Sequence, residues 1–139
     1  MKAKKINNGF FLRIDKDEEI ISAITNFIIS EKIQSGTITG IGALTEVTLG
    51  YFNRNNKQYN KQVFNGAYEL LSLKGNISYA NDEPILHVHC VLGDADCQTI
   101  GGHLFSGTVA VTGEIFIQTF QDKFTRKLNE NFNLKLLDI

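Results

Sequence analysis

Apolar and polar positions alternate through residues 9–14, with Phe10, Leu12 and Ile14 set against Phe11 and Arg13. A period of two predicts a first strand. Asp15 then offers a helix N-cap, and Glu18 three residues later completes a capping box. Ile20, Ala23, Ile24, Phe27 and Ile28 follow at helical spacing, giving one apolar stripe to lay on a sheet. This helix is expected to reach about Lys32 and to close near Gly36. From there the pattern is β. Residues 37–44, 46–52 and 58–64 are rich in β-branched and aromatic side chains, with a polar turn at 53–56. Residues 69–79 read as a longer strand with Gly75 as a bulge. Residues 85–92 and 98–105 flank a turn at 93–97, and 108–120 is the longest β run. Residues 132–137 form a short last strand or a tail on the core. One early helix against many strands with short connections predicts an α+β fold with a mostly antiparallel sheet.

Length and composition keep this picture simple. A chain of 139 residues, 42% hydrophobic, suits one domain with a real core. Its single proline, Pro84, and the lack of a biased linker give no internal boundary, so residues 1–139 are expected to form one unit. The net charge is −1. Lys2, Lys4 and Lys5, and Arg126 with Lys127, are the only basic clusters and read as solvated tails. Tight nucleic-acid binding draws on a basic patch, so this balance weakens a DNA-binding reading. No apolar run approaches the roughly 20 residues that cross a bilayer. The start, MKAKKINNGFF, lacks the apolar core and cleavage site of a secretory signal. Two cysteines are too few for a disulfide framework. A cytoplasmic protein with reduced thiols is expected.

The chemistry gathers at the histidines. All three lie between positions 87 and 103. His87 and His89 sit two apart in the apolar run ILHVHCVL, so in a strand both rings point to one side. Their backbone positions are roughly 6.5 Å apart, a span that two rings bridge to one ion at about 2 Å each. A turn centred on Asp96 places His103 opposite His89, and one centred on Ala95 places it opposite His87. Either register puts all three rings on one face, whereas a one-residue slip sends His103 to the other. Gly101 and Gly102 leave the backbone free to bend before His103. The alternative is a set of hydrogen-bonded core histidines, but three buried imidazoles without partners are costly. Imidazole-only coordination suits zinc, iron, copper or nickel, with zinc the default, and three protein ligands leave a fourth position open. Cys90 should face away from the rings as a small buried residue, and Cys97 should be an exposed thiol in the turn.

Two carboxylates are candidates for acid–base work beside such an ion. Glu69 shares a strand parity with Leu71, Leu73 and Ile77, and Glu114 lies amid Val109, Val111, Ile115 and Ile117. Each is read as a partly buried acid. The competing reading is a salt bridge, or an acid facing solvent through a subunit seam.

Four segments taken together carry a resemblance: GIGAL with EVTLGYF (40–52), YELLSLKGNIS (68–78), LHVHCVLGD (86–94) and GGHLFSGTVAVTGEIFI (101–117). In order and spacing the chain resembles the plants-and-prokaryotes conserved domain, found in plants behind AT-hook DNA-binding motifs. The resemblance covers nearly the whole chain. It implies an α+β fold with an antiparallel sheet, a homotrimer, and a metal site that falls on His87, His89 and His103. Plant members generally lack these histidines, so the fold does not need the metal. Prokaryotic members often carry a provisional DNA-binding label from their plant relatives, but the AT-hook is absent here. One departure is Cys97, where relatives tend to carry glycine in the turn.

Three functions follow as expectations. The first is a non-catalytic, metal-containing trimeric module for an unidentified small ligand or partner. The second is a DNA-associated regulator. The third is a metal-dependent enzyme with Glu114 or Glu69 as base.

Overall fold

A computed structural model describes residues 1–139. The elements are β1 (Lys2–Ile6), β2 (Gly9–Asp15), α1 (Ile20–Ser30), β3 (Gly36–Asn53), β4 (Gln58–Ala80), β5 (Glu83–Gly93), β6 (Thr99–Thr119), β7 (Arg126–Asn129) and β8 (Leu134–Leu137). Six strands form one antiparallel sheet in the order β1-β2-β6-β3-β4-β5, and β5 pairs in addition with β6. That extra pairing closes β3, β4, β5 and β6 into a ring. The length of β6 makes the closure possible. Its first residues, 99–103, pair with β5, while later ones pair with β2 and β3. The expected α+β fold with a mostly antiparallel sheet and one helix laid on it is what the chain forms.

The helix buries Ile20, Ile24, Phe27 and Ile28 in a core of 22 residues. Phe27 meets Phe10 of β2 edge to face, with ring centroids 5.0 Å apart. Its start differs from the sequence expectation. The N-cap is Glu19, whose carboxylate accepts the N–H groups of Ile21 and Ser22. Glu18 does reach back to the Asp15 N–H at 2.8 Å, but the pair closes a turn and not a helix. The cause is β6. Val109 accepts the Asp17 N–H and donates to the Glu18 carbonyl, which holds this segment out of helical geometry. The far end also comes early, with Lys32 turning the chain at φ 54° and Gly36 already in β3.

Several expected strands prove to be parts of longer ones. Residues 37–44 and 46–52 both belong to β3, which passes through a bulge at Glu46 (φ 51°) without turning back. Residues 58–64 and 69–79 both belong to β4, and 98–105 and 108–120 lie almost wholly in β6. Gly75 is not a bulge: it stands in register opposite Val88, and a Cβ there would meet the His87 carbonyl oxygen at 2.0 Å. The irregularity of β4 against β5 lies between Leu70 and Ser72. The N-terminal lysines are not a tail but part of β1, where charged side chains protect a sheet edge. Residues 126–129, also read as a tail, form β7 and pair with β8 as a separate hairpin.

Candidate metal centre

Alternation along β5 buries Val88, Cys90 and Leu92 and turns His87 and His89 to the opposite side. The hairpin to β6 takes the register centred on Asp96, so His89 pairs with His103. Asp94 holds the turn by accepting the N–H groups of Asp96 and Gln98 at 3.0 and 2.8 Å. Cys97 adopts a left-handed φ of 60°, which is the conformation that glycine takes at least cost. Gly101 and Gly102 serve close approach and not a bulge. A Cβ on them would stand 2.9 Å from the Cys90 carbonyl oxygen and 3.0 Å from that of Gly50.

The three rings form a nearly equilateral triangle with centroid separations of 5.2, 5.2 and 5.3 Å. One ring nitrogen from each falls within 4.8 Å of the others. His87 Nε2 and His89 Nε2 are 3.3 Å apart. Two nitrogens at about 2.0–2.1 Å from a tetrahedral zinc would be separated by roughly 3.3–3.4 Å. His103 Nδ1 is buried and has no hydrogen-bond partner in the chain. The donor set thus fits a borderline transition metal, in spacing and in having a nitrogen that the protein leaves unsatisfied.

The surroundings favour the neutral form of two of the rings, His87 and His103. His103 packs at a tilt against Phe105 and Tyr59, and burial pulls its pKa down to about 4, with His87, His89 and Lys61 adding to the effect. Burial also lowers the pKa of His87, helped by Arg126 and His89. A neutral ring is what a metal requires.

Arg126 is the functional neighbour that sequence reasoning missed. From β7 it donates to Ser78 Oγ, to Asn76 Oδ1 and to the Lys135 carbonyl, and its Nη2 lies 3.3 Å from His87 Nδ1. A guanidinium only donates, so His87 Nδ1 is the acceptor in this contact. The proton of the neutral ring then sits on Nε2, aimed at His89 Nε2. A second cation, Lys61, lies over Phe105 beside His103. No carboxylate hydrogen-bonds any of the three rings. Nothing local marks Arg126, because it is 39 residues from His87 and arrives by way of the last hairpin.

The carboxylates lie elsewhere and are exposed. The irregularity at Leu70–Ser72 turns both Leu70 and Leu73 inward, so Glu69 and Leu71 face outward and do not share a face with Leu73 and Ile77. Glu114 sits on the outward parity of β6, between buried Gly113 and Ile115. Together they flank a surface depression with Ile41, Leu71 and Val111, which includes no histidine. Cys90 is buried and its thiol is pushed up to about 11 by burial, while Cys97 is exposed, as expected of both. No helix is long and apolar enough to cross a membrane.

A closed antiparallel sheet with one helix and a three-histidine cluster on β5 and β6 defines the class. The Plants and Prokaryotes Conserved (PCC) domain matches residues 1–121, and the chain belongs to that family. It is 34% identical to a protein of Bacteroides thetaiotaomicron described as a candidate DNA-binding protein, with a TM-score of 0.96 over 99% of this chain and 96% of that one. A plant- and prokaryote-conserved protein of Pyrococcus horikoshii is also 34% identical, with a TM-score of 0.88 over 99% and 94%. A metal-containing protein of Archaeoglobus fulgidus is 32% identical, with a TM-score of 0.90 over 97% and 96%. No curated protein matches.

Proposed function

We propose that this chain is a metal-binding, homotrimeric member of its family that serves as a non-catalytic module for a small ligand or partner. The observation that carries the reading is the convergence of His87, His89 and His103, with ligand nitrogens within 4.8 Å. The metal-containing relative from Archaeoglobus fulgidus supports it. Zinc is the default ion, since imidazole donors suit it and three ligands leave one position open. An ion held by His87, His89 and His103 would supply Lewis acidity toward a group bound beside it. Glu69 and Glu114 stand apart from the histidines within the chain, which is why binding ranks above catalysis.

The trimer is supported by exposed apolar surface. Val111, Ile41 and Leu71 are 70%, 56% and 49% exposed in the single chain and lie around one depression. Contiguous apolar surface of this kind marks a face that another molecule covers. A cytoplasmic setting suits the free thiols.

Elemental analysis of the purified protein tests the reading. About one transition-metal ion per chain is expected, and none even after loading with zinc would refute it.

A second reading, DNA association, draws on relatives described as candidate DNA-binding proteins. With a net charge of −1 and no AT-hook, duplex binding at physiological salt should be weak or absent. Sequence-specific binding tighter than roughly 10⁻⁷ M at that salt would put this reading first, since non-specific binding lies near 10⁻⁴ to 10⁻⁶ M.

A further inference from the structure

We propose that the cavity beside the histidine cluster binds a short aliphatic carboxylate, its charged end at Arg126 and its chain among Ile85, Leu86, Leu134 and Leu136. The inference rests on the metal-binding reading above and names the class of ligand for that same site.

Charge is the first ground. Arg126 contacts His87, Lys61 lies beside His103, and no carboxylate hydrogen-bonds the rings. Ligand histidines ordinarily hand their second N–H to a carboxylate or carbonyl. Here a guanidinium stands where that acceptor would be. A divalent ion on three imidazoles would add two more positive charges in a half-buried place, and no acidic residue lines the cavity to offset them. An anion from outside meets that need.

Hydrogen bonding is the second ground. When His87 gives its Nε2 lone pair to a metal, its ring proton must sit on Nδ1. Nδ1 then stops accepting from Arg126 Nη2, now 3.3 Å away. One guanidinium N–H loses its partner at the wall of the cavity, and a half-buried donor without an acceptor is unfavourable. The planar fork of arginine matches a carboxylate. Metal loading therefore prepares the anion site.

Shape selects within the anions. The cavity is about 230 Å³ and is lined by four aliphatic residues together with Tyr59, His87, His103, Arg126 and Lys135, and by no acidic residue. That is below the roughly 300–1,000 Å³ of pockets for drug-sized ligands, so a few carbons fill it. The aliphatic wall favours an acid with an apolar end over a bare inorganic ion. Arg126, Leu134 and Leu136 come from the hairpin beyond residue 121, where the family match stops, whereas Ile85 and Leu86 belong to β5.

The test uses the full chain loaded with cobalt(II), its metal content measured first. Butyrate is titrated against butyramide, the uncharged analogue, and against sulfate, which has charge but no apolar end. Cobalt absorption and melting temperature are the readouts. Butyrate should shift both, at least tenfold more tightly than either control and than with metal-free protein. Arg126→Gln at unchanged cobalt content should weaken butyrate at least tenfold. Since Arg126 also ties down β7, a second variant, Leu136→Asp at a position 37% exposed, places a competing carboxylate in the cavity and should abolish the response. Butyramide equal to butyrate, sulfate equal to butyrate, or unchanged affinity in both variants would overturn the proposal. Cobalt uptake without any butyrate response refutes this inference alone, whereas failure to take up metal refutes it together with the metal-binding reading.

Discussion

His89 and His103 are direct cross-strand partners, one on β5 and one on β6, with ring centroids 5.3 Å apart. Their pairing ties the histidine cluster to the point at which the sheet closes on itself, so the geometry of the candidate site and fold closure share the same few residues.

The first prediction concerns the ligands. His87→Ala and His103→Ala should each lose most of the bound metal, because two imidazoles seldom hold a transition ion against buffer. Cys90→Ser should keep it, since Cys90 is buried on the other side of β5. Metal content by elemental analysis decides, and retention of metal by both alanine variants would mean the ion sits elsewhere.

Removing the metal should soften the protein without unfolding it. The 22-residue core contains none of the histidines. The ion would nonetheless join β5 to β6, so a chelator at neutral pH should lower the melting temperature by several degrees, about 2–6 °C per kcal/mol for a chain of this size. The transition should stay cooperative. An unchanged curve after verified removal would deny the site any part in stability, and complete unfolding would make the metal structural.

Acid should act on the metal-free protein through His103. Its pKa is near 4 when folded, against an ordinary 6.5, so between those values the unfolded chain holds the extra proton. Stability is therefore full above about pH 6.5 and declines as the pH falls toward 4. The same shift keeps the ring free for metal, so release should begin below 6.5. Denaturant titrations of the metal-free protein from pH 7.5 to 4 check this, and His103→Phe should flatten the slope. A slope unaltered by that change would assign it to other groups.

Cys97→Gly should stabilise the β5–β6 turn. Cys97 holds φ 60°, a conformation that costs a side-chain-bearing residue roughly 1–2 kcal/mol. The greater freedom of glycine in the unfolded chain returns part of that, leaving a gain of about 0.5–1 kcal/mol. Thermal denaturation measures it, and a loss of stability would show that the thiol makes a compensating contact.

Val111→Lys should break the trimer and leave the chain folded. Val111 is 70% exposed in the single chain, so its change should move that chain's own stability by no more than about 0.5 kcal/mol. Light scattering should report a trimer for the natural protein and a smaller species for the variant. A monomeric natural protein would remove the proposed assembly.

Local pattern alone was enough for much of this protein. The helical stripe of Ile20, Ile24, Phe27 and Ile28, the β character of everything after residue 36, and the shared face of His87 and His89 all follow from periods of 3.6 and 2.0, which depend on backbone geometry and near neighbours. The two possible registers for His103 were also legible, because both preserve side-chain parity. Three features were not. Which register holds is decided by Asp94 capping the turn and by β6 pairing with β3 as well as β5. The burial of Glu69 was misjudged because one irregularity between Leu70 and Ser72 reverses parity, and no local preference announces it. Arg126 reaches His87 only because a separate hairpin folds back across β4 and β5. Contacts between residues far apart in the chain depend on how finished elements meet, and that information resides in the assembled structure.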